Sequence, residues 1–149
     1  MAGILLFQET RLVFRWRNNL MSRKILLVDD DLSFCKLMKE IARYHGLTLD
    51  YFHSFIDLSS LKRIKEYDIA IFDYVLDGPN GFEIAEYVDH FYDNFPVFLI
   101  SGKKSVFSNG NLPQSVRQFI PKDRGTDFII QSVRRYLDRQ DYLAQTLMN

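Results

Sequence analysis

Asp73 closes the apolar run Asp68-Ile69-Ala70-Ile71-Phe72 and opens a turn-rich stretch from Tyr74 to Gly81. A lone carboxylate in that setting reads as a nucleophile at the C-terminal end of a buried strand, where a phosphoryl group would be attacked. Polar signals stand at other strand ends too: Asp29 with Asp30, then Ser101 with Gly102, then Lys122. In an open parallel sheet the C-terminal ends of the strands face one crevice, so these residues could converge. Their joint chemistry is phosphoryl transfer onto a carboxylate.

Each residue type has a part in that chemistry and a blander alternative. Asp29, Asp30 and Asp31 repel one another unless solvated, partly protonated or bound to a cation. Mg²⁺ takes oxygen ligands, keeps several waters and uses one or two carboxylates with phosphate oxygens. Asp30 and Asp73, with a water held by Asp29, would suffice. The competing reading is a helix N-terminus, which Asp31 caps and acidic residues stabilise. The Lys122 ammonium would neutralise a phosphoryl oxygen from the side opposite the metal. Ser101 offers a hydroxyl donor, and Gly102 lets a backbone N–H approach without an intervening side chain. Singly these would be a solvated lysine and a strand-ending turn; together they surround one nucleophilic carboxylate with a metal, a cation and neutral donors.

The elements that must position them alternate between apolar runs and helical periods from Lys24 onward, the pattern of a parallel sheet with crossover helices. Lys24 to Val28 is expected as strand one. Leu32 to Tyr44 comes next as a helix with Phe34, Leu37, Met38, Ile41 and Ala42 on one face and Gly46 near its stop. Thr48 to Phe52, the most polar strand, is expected at an edge. Leu58, Leu61 and Ile64 mark a second, shorter helix, and Ile69 to Phe72 the third strand. Gly81 opens a third helix, Pro96 to Ile100 and Arg117 to Ile120 are the last strands, and Thr126 caps a final helix carrying Ile129, Ile130, Val133 and Leu137.

The 149 residues, 47% of them hydrophobic, fit one domain with a full core. With 19 basic and 19 acidic residues the chain suggests neither a nucleic-acid groove nor an anionic membrane partner. Cys35 is the only cysteine, so no internal disulfide framework exists, and a reducing compartment is expected. His45, His53 and His90 show no metal-cluster spacing and read as surface or packing residues. The apolar stretch Gly3 to Phe7 is too short to span a bilayer, and Arg11, Arg15 and Arg17 interrupt the apolar residues after it. Met21 leads straight into the first strand, as a natural start would. The expectation is that translation begins there, or that the upstream part packs loosely.

On these residues the sequence resembles the response-regulator receiver domain of two-component signalling, of the chemotaxis-regulator type, from Lys24 to about Arg139. The resemblance implies an α/β, flavodoxin-like doubly wound five-stranded parallel sheet in the order 2-1-3-4-5, with helices on both faces. It would span residues 23–140, with 1–22 as an extension and 141–149 as a tail continuing the last helix. It implies Asp73 as phosphoacceptor, Asp29 and Asp30 as the acidic Mg²⁺ pair, and the Val75 backbone carbonyl as a further metal ligand beside Asp73. Ser101 would be the switch hydroxyl, Lys122 the family's lysine, and Phe119 the aromatic that reorients with Ser101. Gly81, eight residues beyond Asp73, matches the glycine opening the family's third helix.

In relatives, side chains two residues beyond the phosphoacceptor and two beyond the switch residue govern phosphoryl lifetime; here these are Val75 and Lys103. Valine neither orients nor activates water, so a phosphorylated state lasting minutes or longer is expected. Ser105 to Pro113, where the fourth helix should lie, carries Asn109-Gly110 and Pro113 and leaves room only for a short or irregular helix. Asp77 stands where proline is common. The implied protein is a cytoplasmic phosphoacceptor and not an enzyme in the ordinary sense. A histidine kinase or phosphotransfer protein would act upstream and a target protein downstream, without direct nucleic-acid or membrane binding. With no output domain after Asn149, the signal is expected to leave through another protein, and a homodimer or a downstream phosphotransfer domain are both open.

Two other readings compete. Asp29-x-Asp31, Ser101 and Lys122 also imitate haloacid-dehalogenase-type phosphatases, which need a further acidic pair on a strand beyond the lysine and leave Asp73 unexplained. A receiver fold that signals without phosphorylation would keep the architecture and lose the chemistry.

Overall fold

A computed structural model describes residues 22–57, 61–76, 78–102 and 111–148. Five strands, β1 (Lys24–Val28), β2 (Thr48–Phe52), β3 (Ile69–Asp73), β4 (Val97–Ser101) and β5 (Val116–Pro121), form one sheet in the order β2-β1-β3-β4-β5. All four pairings are parallel. Central strands of a parallel sheet are covered on both faces and must be apolar throughout. Accordingly, every residue of β3 and β4 is buried, whereas β2 and β5, with mixed burial, lie at the edges.

The helices are α1 (Leu32–Tyr44), α2 (Gly81–Phe91) and α3 (Thr126–Leu147). Strand side chains alternate between faces, and the core divides accordingly. Ile25, Leu27, Ile71, Phe98 and Ile100 pack with Met38 of α1 and Val133 of α3. Leu26, Val28, Phe72 and Leu99 pack on the other face with Ile64, Ala85 and Val88. The doubly wound sheet with helices on both faces is therefore the observed architecture.

Local signals set the helix ends. Asp31 caps α1, its side chain accepting the Phe34 N–H at 3.0 Å, in agreement with the competing reading of that residue. Gly46, at φ 73°, takes the left-handed turn just past the helix. Asn80 and Glu83 form a reciprocal capping box at α2.

Several expected details differ. The second helix is a 3-10 helix, Leu61–Glu66, anchored by one buried residue, Ile64; so small an apolar face supports little more than a turn or two. Thr126 is not a cap but the first helical residue. The chain enters α3 through a 3-10 turn, Lys122–Arg124, and Gly125 at φ 92°, which has no side-chain cap bond. β4 extends to include Ser101. α3 runs unbroken to Leu147, and its Asp141 pairs with Arg23 just before β1. Residues 1–21, Leu58, Asp77, Lys103 and 105–110 lie outside the described residues, and Asn111, Leu112 and Pro113 are irregular.

Candidate functional site

Parallel pairing brings the C-terminal ends of β1, β3 and β4 to one edge. Asp29 comes directly after β1; its N–H donates to the Phe52 carbonyl at 3.1 Å, keeping the backbone in the sheet. Its side chain is fully buried. Asp73 ends β3 and is 4% exposed, with its Oδ1 accepting the Val75 N–H at 3.3 Å. Asp30 is exposed at the mouth. One carboxylate oxygen from each of Asp29, Asp30 and Asp73 lies within 4.8 Å of the others.

Lys122 enters from the end of β5. Its Nζ donates to Asp73 Oδ2 at 3.0 Å and lies 2.6 Å from Asp29 Oδ2. The ammonium thus sits between the carboxylates of Asp29 and Asp73. The Phe34 ring, on the first turn of α1, lies 4.7 Å from the same nitrogen. Asp29 is further fixed by the Asp31 N–H, which donates to its Oδ1 at 2.9 Å, and by the Cys35 thiol, which donates to its carbonyl at 3.4 Å.

Burial dominates the electrostatics. It pushes the Asp29 carboxyl up to about 6, with the Asp73 charge adding, although the Lys122 ammonium and the Asp31 N–H pull it down. Burial also raises Asp73, against the opposing pull of Lys122 and the Val75 N–H. Burial alone would lower Lys122, but Asp29 and Asp73 outweigh it and hold the lysine above its ordinary value. Two acids and one base in close contact therefore share charge.

A small divalent cation fits this donor set. The ligands are hard oxygens, and buried Asp29 Oδ2 has an ion pair at 2.6 Å but no aligned hydrogen bond. Gly81 is needed for the close packing beneath the site. A Cβ there would fall 2.4 Å from the Asp73 carbonyl oxygen and 3.2 Å from Phe72 Cβ.

Ser101 is buried at the end of β4, one residue past Ile100, the register partner of Asp73. Phe119, half-buried in β5, pairs with Leu99 and packs against the cluster containing Phe72. Val75 is 41% exposed beside Asp73; Lys103 lies outside the described residues. Sequence reasoning missed Phe34 as a neighbour of Lys122, since a first-turn aromatic reads as helix-face packing. It also missed the capping box, which Asn80-x-x-Glu83 does spell out. The phosphatase alternative leaves unexplained why Asp73, at the end of central strand β3, accepts a hydrogen bond from Lys122.

Known proteins carry the same arrangement of strands. The chain is 21% identical over 120 residues to the response regulator MprA of Mycobacterium ulcerans, and 20% identical to that of Mycobacterium tuberculosis. The match covers 80% of this chain and 52% of MprA, so the chain spans about half the length of these curated relatives. A CheY-like receiver domain protein from Methanospirillum hungatei superposes with a TM-score of 0.69 at 23% identity, covering 82% of this chain and 98% of that one. The signal receiver domain of a LuxO repressor protein from Vibrio parahaemolyticus gives 0.72 at 20% identity, covering 87% and 99%. The response regulator TrrA of Thermotoga maritima, solved in complex with Mg²⁺ and BeF, gives 0.65 at 22% identity, covering 76% and 97%. The response regulator receiver domain family matches residues 25–134, from the first residues of β1 into α3, and the chain belongs to that family.

Proposed function

We propose that this receiver domain takes a phosphoryl group onto Asp73 from the phosphohistidine of a histidine kinase or phosphotransfer protein. One observation carries the reading: three carboxylates within 4.8 Å at the end of the sheet, with the Lys122 ammonium between Asp29 and Asp73. An Asp73 carboxylate oxygen forms a new bond to phosphorus as the phosphorus–nitrogen bond to the donor breaks. The electron pair goes to the imidazole, which takes a proton and leaves neutral. Asp29, Asp30, Asp73 and the Val75 carbonyl would hold Mg²⁺, which neutralises the phosphoryl oxygens. The Mg²⁺ complex of TrrA, a protein of the same fold, supports that assignment.

Lys122 then turns from the carboxylates to a phosphoryl oxygen, and the Ser101 hydroxyl donates to another. Phosphorylation adds charge and acceptor oxygens at Asp73. Movement of Ser101, and with it Phe119, biases a two-state surface around β5 that a downstream protein reads. Val75 offers attacking water no base, which favours a long-lived phosphorylated state. A cytoplasmic setting accords with the lone buried Cys35.

Intact mass after incubation with Mg²⁺ and acetyl phosphate tests the reading. The parent chain should gain the mass of one phosphoryl group, and Asp73→Asn should gain none. Label on Asp73→Asn would overturn the assignment of the acceptor. Absence of label on the parent would favour a receiver that signals without phosphorylation.

A further inference from the structure

We infer that Phe34 is a positioning residue for Lys122, its ring holding the ammonium beside Asp73 while the surrounding carboxylates change partners. The inference rests on the phosphoacceptor reading above and adds a residue to it. Among the described residues, Lys122 Nζ lies close to Asp29 Oδ2 at 2.6 Å, Asp73 Oδ2 at 3.0 Å and the Phe34 ring at 4.7 Å. Two of these are altered by the proposed reaction. Asp73 becomes an acyl phosphate and loses its carboxylate charge, and Asp29 is the carboxylate whose charge a bound metal claims. The aromatic face alone is the same before and after.

Phe34 is well held for this purpose. Its N–H donates to the capping Asp31 side chain at 3.0 Å, and its ring packs against the core cluster that includes Cys35 and Ile100. A phenyl ring takes neither proton nor metal, so only its negative face can retain a cation. Lysine has a flexible four-carbon stem, and with 20% of this side chain exposed the ammonium has a path to water. A cation already seated beside the acceptor stabilises developing phosphoryl charge without first being ordered. The same α1 turn thus serves twice, Asp31 setting the helix start and Phe34 the lysine.

The test compares Phe34→Leu and Phe34→Tyr in the full chain by the rate of phosphorylation from acetyl phosphate with Mg²⁺. Phe34→Leu keeps the apolar packing and removes the aromatic face, so labelling should slow about five-fold, while Phe34→Tyr should stay within about two-fold of the parent. In a Lys122→Met background, Phe34→Leu should cause no further loss, because the ring acts through the ammonium. In the metal-free protein the ε-methylene signal of Lys122 should be shifted upfield by the ring and return towards its ordinary position in Phe34→Leu. Equal labelling of Phe34→Leu and parent, equal slowing in both lysine backgrounds, or an unshifted ε-methylene would each overturn the inference. A parent chain that takes no phosphate sinks the phosphoacceptor reading itself, which separates the two failures.

Discussion

The buried carboxyl of Asp29 makes folding sensitive to pH. Its folded value of about 6 lies above the ordinary 3.8, so between those values the folded chain binds more protons than the unfolded one. Metal-free stability therefore falls as pH rises from about 4 to about 6. If Asp29 helps hold Mg²⁺ as proposed, binding requires the ionised form, and affinity should rise over the same window and level off above it, dropping about ten-fold per pH unit below the Asp29 value. Mg²⁺ titrations by calorimetry one unit either side of that value check this, and an affinity independent of pH would contradict it. At Val75, 41% exposed beside Asp73, Asn would supply groups able to orient water. Val75→Asn should shorten the phosphorylated lifetime, measured as loss of labelled mass with time; an unchanged lifetime would mean that Val75 plays no part in it. Asp29, Asp30, Asp73, Ser101 and Lys122 are legible in the sequence because hard or charged groups at the ends of apolar strands have few structural reasons to be there. Phe34 is not, because its type is ordinary on a helix face and only its distance from Lys122 gives it a part.

Among the elements, β3 and α2 meet closely at Gly81. A Cβ at position 81 would meet the Asp73 carbonyl oxygen at 2.4 Å, a backbone atom that cannot swing aside. Gly81→Ala should cost about 2 kcal/mol or more through overpacking and displace Asp73. Thermal melts should show a lower Tm, and labelling by acetyl phosphate should fall with it; a fully stable and active variant would mean that α2 can shift freely. The strands are readable because β1, β3 and β4 are unbroken apolar runs, and β2 betrays its edge by its polarity. The short helix at Leu61–Glu66 is readable but its 3-10 form is not, because periodicity over so few positions does not separate the two helix types. Thr126 reads as a cap because threonine is a good cap by type, while the actual entry depends on Gly125 at φ 92°, a backbone property that residue type only hints at.

For the molecule as a whole, one sheet with two separate apolar layers means that the thiol in the first layer reports on the integrity of both. Cys35 is fully buried, and burial, with the Asp29 charge adding, pushes it up to about 12. Near neutral pH it should resist maleimide until the domain opens, and the labelling rate should climb with denaturant in step with the unfolded fraction. Fast labelling without denaturant would mean that the α1 side breathes independently of the rest. Strand order and the faces of the sheet came from resemblance, whereas the Arg23–Asp141 pair at the far end of α3 joins residues whose surface types carry no long-range signal. That pair has a practical corollary. Arg23, just before β1, and Asp141 stand at the opposite pole of the sheet from the carboxylates, about 16 Å or one strand length away. A fluorophore attached at Ser22 would sit a strand length from Asp73, leaving that carboxylate open and sensing it only through the body of the domain.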